Sequence, residues 1–179
     1  NAIKVNQSVG ILLPGSNYSD LAQALFELIK NDNESAWVYV GVTKPYSTLK
    51  NQYTFLDDLK NFKYIDCISR AAGISESSAN CIFLESPSML EKLGLEIINV
   101  FKEVGENRKK YLLIDSLTNL IIYNDPELVT EFFYHIINRT RAREIHTISL
   151  AIEEEGLDSY INRLVYLNDK ILKVRDSFI

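Results

Sequence analysis

Short apolar runs alternate along the chain with longer segments in which apolar residues recur every three or four positions. A continuous apolar run of four to eight residues is typical of a strand buried on both faces, as in a covered parallel sheet. Five such runs predict strands at residues 9–13, 37–42, 64–68, 111–114 and 146–152. Four segments that begin near Leu21, Leu49, Leu90 and Leu128 have apolar residues at helical spacing. They predict amphipathic helices between the strands.

Two dipeptides indicate where helices begin. Ser86-Pro87 and Asp125-Pro126 each place a capping oxygen directly before a proline. Proline suits the first helical position because the N–H that it lacks has no intrahelical partner there. We therefore expect a helix to begin at each dipeptide.

The last part of the chain has the pattern of two short strands around a tight turn. Residues 163–167 and 170–174 flank Asn168-Asp169, which predicts a C-terminal β-hairpin. With the strand and helix alternation before it, this predicts an α/β fold: a three-layer sandwich with a mostly parallel sheet flanked by helices. The 179 residues suit a single domain, and we expect Asn1-Ala2 to be a cloning scar or the end of a trimmed fragment.

Composition and charge restrict the partners. The chain carries 24 acidic and 19 basic side chains, a net charge of −5, which argues against nucleic acid as a partner. We expect no membrane partner, because no apolar run is long enough to span a bilayer. Cys67 and Cys81 fit no metal or disulfide pattern, so we expect buried thiols and a reducing, cytoplasmic location. We also expect no metal site at His135 or His146.

The turn after the first strand is the first place to look for a ligand, because ligands of such sheets bind beyond the carboxyl ends of the strands. The turn includes Gly15 and Ser16, and Gly15 is the only glycine in the segment. Compared with the phosphate-loop pattern G-x-x-x-x-G-K-[ST], Ser19 occupies the Mg²⁺-ligating position. Leu12 and Asn17 replace the two glycines, and Tyr18 replaces the lysine.

An ordered set of segments resembles the KaiC-like members of the RecA superfamily of ATPases. Residues 16–26 resemble that family's phosphate loop and following helix, and residues 111–117, which include Asp115 and Ser116, resemble its Walker B strand. Further similar segments are residues 37–42, 62–69, 84–90 and 164–172. The resemblance runs from about residue 11 to residue 174 and implies a RecA/KaiC-like fold.

The resemblance also implies which chemistry the chain has kept. The family's loop lysine neutralises phosphate charge, and an acidic pair after the second strand activates the attacking water; Tyr18 and Thr43-Lys44 occupy these positions. Ser19 and Asp115 match the Mg²⁺ side. Loss of a lysine contact and a loop contact costs roughly 3–6 kcal/mol, or about 10²–10⁴ in affinity.

The expectation is therefore a non-catalytic RecA/KaiC-like domain that acts as a binding or signalling module and has no catalytic residues. Gly15, Ser16, Tyr18, Ser19 and Asp115 form its vestigial nucleotide site, and we expect no bound cofactor or metal. The resemblance suggests protein partners, self-association and an archaeal or bacterial signal-transduction setting. The alternative is a weak nucleotide-binding protein or ATPase with an atypical loop, in which Ser19 and Asp115 hold Mg²⁺ and Lys44 contacts phosphate.

Overall fold

The computed structural model describes residues 5–104 and 107–175, so the Asn1-Ala2 start lies outside the described residues. This part of the chain forms a seven-stranded sheet in the order β4-β3-β2-β5-β6-β1-β7, and every pair of neighbouring strands is parallel. The strands are β1 (Ser8–Leu13), β2 (Ala36–Gly41), β3 (Phe62–Asp66), β4 (Cys81–Phe83), β5 (Lys110–Asp115), β6 (Ile145–Ile152) and β7 (Lys170–Lys173).

Helices cover both faces of this sheet. They are α1 (Tyr18–Asn31), α2 (Tyr46–Gln52), α3 (Leu90–Lys102), α4 (Leu117–Tyr123), α5 (Pro126–Arg141) and α6 (Asp158–Val165), with 3₁₀ helices at Gly15–Asn17 and Thr54–Asp58. Alternate residues of β2 show the two cores: Val38 and Val40 pack with α3 to α6, whereas Trp37 and Tyr39 pack with α1 and α2. The predicted three-layer α/β sandwich is confirmed. In the described residues, no helix combines the length and apolar character needed to cross a membrane.

The sequence pattern located the long buried elements best. All five predicted strands are present to within two residues at their ends. β4 was missed because it has only three residues, and α4 was missed because it has only seven residues and begins one residue after the end of β5. The helix predicted from Leu49 is two elements, since the backbone of Tyr53 leaves helical geometry between them (φ −122°, ψ 78°).

The predicted C-terminal hairpin is wrong. Arg163 to Val165 belong to α6, because Ile161, Leu164 and Val165 follow helical spacing and bury one face of that helix. β7 then pairs in parallel with β1, so no antiparallel partner precedes it. Asn168 stabilises the turn between α6 and β7, because its side-chain amide donates to the carbonyl of Val165 at 3.0 Å.

The two predicted helix starts had different outcomes. Asp125 caps α5 as expected: its carboxylate accepts from the backbone N–H groups of Glu127 and Leu128, and Pro126 begins the helix. The Ser86-Pro87 start is wrong, because α3 begins at Leu90. The Ser86 hydroxyl instead accepts from the backbone N–H of Ser88 and forms a turn before that helix.

β2 and β5 lie side by side with Gly41 opposite Asp115, and the backbone N–H of Val42 donates to the carbonyl of Asp115 at 2.7 Å. Gly41 has no side chain, and the phenol of Tyr64 occupies the space beside it. A Cβ added at Gly41 would lie 1.6 Å from the Tyr64 hydroxyl oxygen. The close approach of this ring requires glycine at the end of β2.

We expect Gly41→Ala to lower the free energy of unfolding by about 2–3 kcal/mol, since the buried Tyr64 ring must be displaced to admit a methyl group. Gly94→Ala is the matched control, because the nearest atoms to its added Cβ lie 3.5 Å away and alanine favours the helix by up to about 1 kcal/mol. Urea unfolding measures both. A Gly41→Ala variant as stable as wild type would show that the ring does not need this space.

Candidate functional site

The side chain of Asp115, the last residue of β5, is 2% exposed and accepts three hydroxyl hydrogen bonds. The phenols of Tyr18 and Tyr39 both donate to Oδ2, at 2.5 and 2.6 Å. The Thr43 hydroxyl donates to Oδ1 at 3.2 Å. Burial of a carboxylate is costly unless its oxygens have partners, and these three donors supply them.

The surrounding elements fix each donor. Tyr18 is the first residue of α1, and only four residues separate it from the end of β1. The ring of Tyr39 lies between those of Phe26 and Tyr64, with centroid distances of 5.0 and 5.2 Å. The Tyr64 hydroxyl donates to the carbonyl of Lys44 at 2.8 Å, which holds the loop after β2 against the sheet. Thr43 lies in that loop.

Burial and charge act together on this group. Burial raises the pKa of Asp115 above its usual range, and the hydroxyl donors and the charge of Lys44 oppose that rise. Burial, followed by the charge of Asp115, raises the pKa of Tyr18 and of Tyr39. The phenols therefore stay protonated and remain donors. The ammonium of Lys44 lies 5.9 Å from the centroid of the Tyr18 ring, which adds a cation–π contact beside the carboxylate.

The turn between β1 and α1 is closed by its own backbone hydrogen bonds. The N–H of Asn17 donates to the carbonyl of Pro14 at 3.0 Å, and the N–H of Tyr18 donates to the carbonyl of Gly15. Gly15 and Ser16 are exposed in this 3₁₀ turn. The N–H groups of Asn17 and Tyr18 are thus directed back into the turn and away from solvent.

The structure brings together two of the five residues in the predicted nucleotide site. Tyr18 and Asp115 are in direct contact, whereas Gly15 and Ser16 lie in the exposed turn. Ser19 is exposed on α1, and within residues 5–104 and 107–175 no hydrogen bond joins it to Asp115.

Two of the donors to Asp115, the phenol of Tyr39 and the hydroxyl of Thr43, are not among the predicted site residues. Tyr39 lies in the predicted strand of residues 37–42, and its hydroxyl reaches a buried carboxylate on the neighbouring strand. One feature points to this contact: Tyr39 carries a hydroxyl within a buried strand and lies two positions before Gly41, which is opposite Asp115 in the sheet. That feature needs the strand register, which the sequence does not contain.

Asp66 ends β3 in the way that Asp115 ends β5, and its role is structural. Its carboxylate accepts from the backbone N–H groups of Tyr46, Ile68 and Ser69 and from the Ser69 hydroxyl. Cys67 and Cys81 are buried free thiols, as expected. Across the described ranges, no three His, Cys, Asp or Glu side chains are grouped so as to hold a metal ion.

Comparisons with known proteins identify the fold. No protein-family model and no curated protein sequence matches the chain. Solved structures do match it: KaiC-like protein PH0186 from Pyrococcus horikoshii OT3 superposes with a TM-score of 0.64 at 13% identity, covering 97% of this chain and 74% of that protein. The uncharacterized protein PH0321 from Pyrococcus horikoshii, in complex with an unknown peptide, gives 0.71 at 12% identity, covering 96% and 78%.

We expect Asp115→Asn to change how stability depends on pH. An asparagine keeps an oxygen acceptor for the two phenols and offers its amide to Thr43. The wild-type carboxyl has a raised pKa when folded, so its proton stabilises the native state below the usual carboxyl pKa. That contribution is lost as pH rises through the raised value. As pH rises from acid to neutral, the free energy of unfolding of Asp115→Asn should therefore increase relative to that of wild type.

Urea unfolding at several pH values between about 4 and 8 measures this difference. Glu153→Gln is the matched control, because it removes one carboxylate from an exposed position after β6. A constant difference between wild type and Asp115→Asn across this range would contradict the assignment of a raised pKa to Asp115.

Proposed function

We propose that this chain, which has the fold of KaiC-like proteins of the RecA superfamily, is a non-catalytic domain of that architecture. It acts as a binding or signalling module and does not hydrolyse ATP. One observation carries the proposal: the phenol of Tyr18 occupies the lysine position of the phosphate loop and donates to Asp115. The side chain at the position of the phosphate-binding lysine is thus hydrogen-bonded to the carboxylate at the position of the Mg²⁺ ligand.

The residues of this site do not fit Mg²⁺-ATP. A carboxylate that ligates Mg²⁺ must offer an oxygen to the ion, and both oxygens of Asp115 accept hydrogen bonds from protein hydroxyls. Ser19 lies exposed on α1 and makes no hydrogen bond to Asp115 in the described part of the chain. A metal ion would have to displace two phenols that also pack against the core.

The turn that would hold the phosphates supports the same conclusion. Phosphate loops bind phosphate through outward-pointing backbone N–H groups and a lysine. Here the N–H groups of Asn17 and Tyr18 donate to carbonyls within the turn. These two N–H groups are therefore engaged within the turn, and Tyr18 stands at the position of the lysine.

The position of the family's catalytic acids also supports the proposal. Thr43 and Lys44 occupy that position, and neither is a carboxylate that can activate a water molecule. The Thr43 hydroxyl donates to Asp115, so it contributes to the same closed cluster. We infer no hydrolytic step from these residues.

Protein partners are part of the proposal, in an archaeal or bacterial signalling setting and including other copies of the chain. Large apolar side chains are exposed around the corner between α4 and α5, namely Ile122, Tyr123 and Leu128, each more than half exposed. Clustered exposed apolar groups favour contact with another protein surface. The unknown peptide bound to the structural neighbour PH0321 is in keeping with such a role.

Lys44 favours a second candidate, a weak nucleotide-binding protein or ATPase with an atypical loop. Its ammonium lies beside the Tyr18 ring, at the edge of the sheet where a nucleotide would bind. If the two phenols move away from Asp115, Lys44 can supply the charge of the missing loop lysine. This candidate requires the closed cluster around Asp115 to open.

ATP hydrolysis and calorimetric titration with Mg²⁺-ATP test the proposal. We expect turnover at background and no saturable binding tighter than about 1 mM, because Tyr18 replaces the lysine and the N–H groups of Asn17 and Tyr18 bond within the turn. Turnover above background that is lost in Asp115→Asn would contradict it. A dissociation constant below about 10 µM that weakens in Lys44→Ala would establish the second candidate.

Matched variants keep this experiment interpretable. Asp115→Asn retains the acceptor for Tyr18 and Tyr39, so circular dichroism should show an intact fold. Lys170→Ala is the control for Lys44→Ala, because it removes one exposed lysine from the start of β7, at the edge of the sheet opposite Asp115. An effect of equal size in both lysine variants would reflect net charge and would count against the second candidate.

A further inference from the structure

A cavity of about 480 Å³ lies at the edge of the sheet where β1, β5 and β6 begin, opposite to the edge that carries Asp115. Its walls come from the start of the described chain, the segment before β5, and the turn between α5 and β6. We call it the cationic cavity, and its lining includes Gln7, Arg108, Lys109, Lys110, Arg143 and His146.

The charge of this cavity is opposite to that of the whole chain. Four cationic side chains and one acidic side chain, Glu144, line it, whereas the chain has a net charge of −5. Within the residues that the structure describes, none of the four cations forms a salt bridge. Four positive charges held close together without paired carboxylates create a local potential that attracts anions.

The fold holds these residues in place. Lys110 begins β5 and lies in register with Ile145 of β6, which joins the two basic segments across the sheet. The carbonyl of Lys109 accepts from the N–H of Ala36 at 2.8 Å, and the guanidinium of Arg143 donates to the carbonyl of Arg139 at 3.2 Å. The cations therefore converge from segments that are more than 30 residues apart in the sequence.

We propose that the cationic cavity binds a small soluble molecule that carries two adjacent phosphate groups. Its volume lies within the range of small-molecule sites, roughly 300–1,000 Å³. Lysine and arginine are the usual phosphate-binding side chains, arginine as a bidentate fork and lysine as a point charge. A long nucleic acid is disfavoured because the rest of the chain is acidic. This proposal does not depend on the absence of ATP hydrolysis.

Calorimetric titration of the whole chain with inorganic pyrophosphate at low ionic strength tests the proposal. We expect saturable binding with a dissociation constant of about 0.1 mM. Binding should weaken at least about tenfold in Lys109→Ala/Lys110→Ala, because two cations leave the cavity. Added salt should weaken it as well, since the charges are partly exposed to solvent.

Lys170→Ala/Lys173→Ala is the matched control, because it removes two exposed lysines from β7 and gives the same net charge. Its affinity should equal that of wild type, as should that of Asp115→Asn at the opposite edge. The proposal is overturned by no saturable heat up to about 5 mM pyrophosphate, by equal weakening in both lysine pairs, or by loss of binding in Asp115→Asn. Tight binding of a single-stranded oligonucleotide that pyrophosphate cannot displace would also overturn it.

Discussion

The buried carboxylate of Asp115 is the constraint on which this edge of the molecule depends. A charge-bearing group with only 2% of its surface exposed needs close donors, and three hydroxyls, from α1, β2 and the loop after β2, supply them. Tyr18 can reach it because α1 begins directly after a short, closed turn. Tyr39 can reach it because its ring is held between Phe26 and Tyr64. The carboxylate, the turn and the aromatic stack therefore form one unit.

The two edges of the sheet differ in how their polar and charged groups are paired. At the carboxyl edge, where folds of this type carry their ligands, polar groups of the protein are satisfied by one another. At the opposite edge, Lys109, Lys110 and Arg143 converge on a cavity and form no salt bridge in the described chain. The edge opposite Asp115 thus carries a group of cations that no salt bridge of the described chain neutralises. The proposals of a non-catalytic role and of a separate phosphate site follow from this distribution.

The sequence was a good guide to buried strands and a poor guide to contacts across the sheet. Strands covered on both faces must be apolar throughout, so their runs are easy to recognise. The apolar pattern of residues 163–167 is compatible with either a strand or a helix. The burial of Ile161, Leu164 and Val165 on one face shows that α6 forms there. The predicted site included Tyr18 and Asp115, which are 97 residues apart, but their hydrogen bond depends on where α1 begins. Tyr39 and the cationic cavity depend on strand register, which no local pattern encodes.

A double-mutant cycle between Tyr18→Phe and Asp115→Ala tests the central claim most directly, because it measures the coupling of the phenol to the carboxylate. The free energies of unfolding of wild type, both single variants and the double variant come from urea titration at neutral pH. The account predicts a coupling of about 1 kcal/mol or more, with Tyr18→Phe costing much less once Asp115 is absent. Additive effects, within about 0.3 kcal/mol, would show that Tyr18 does not hold the carboxylate and would contradict the account.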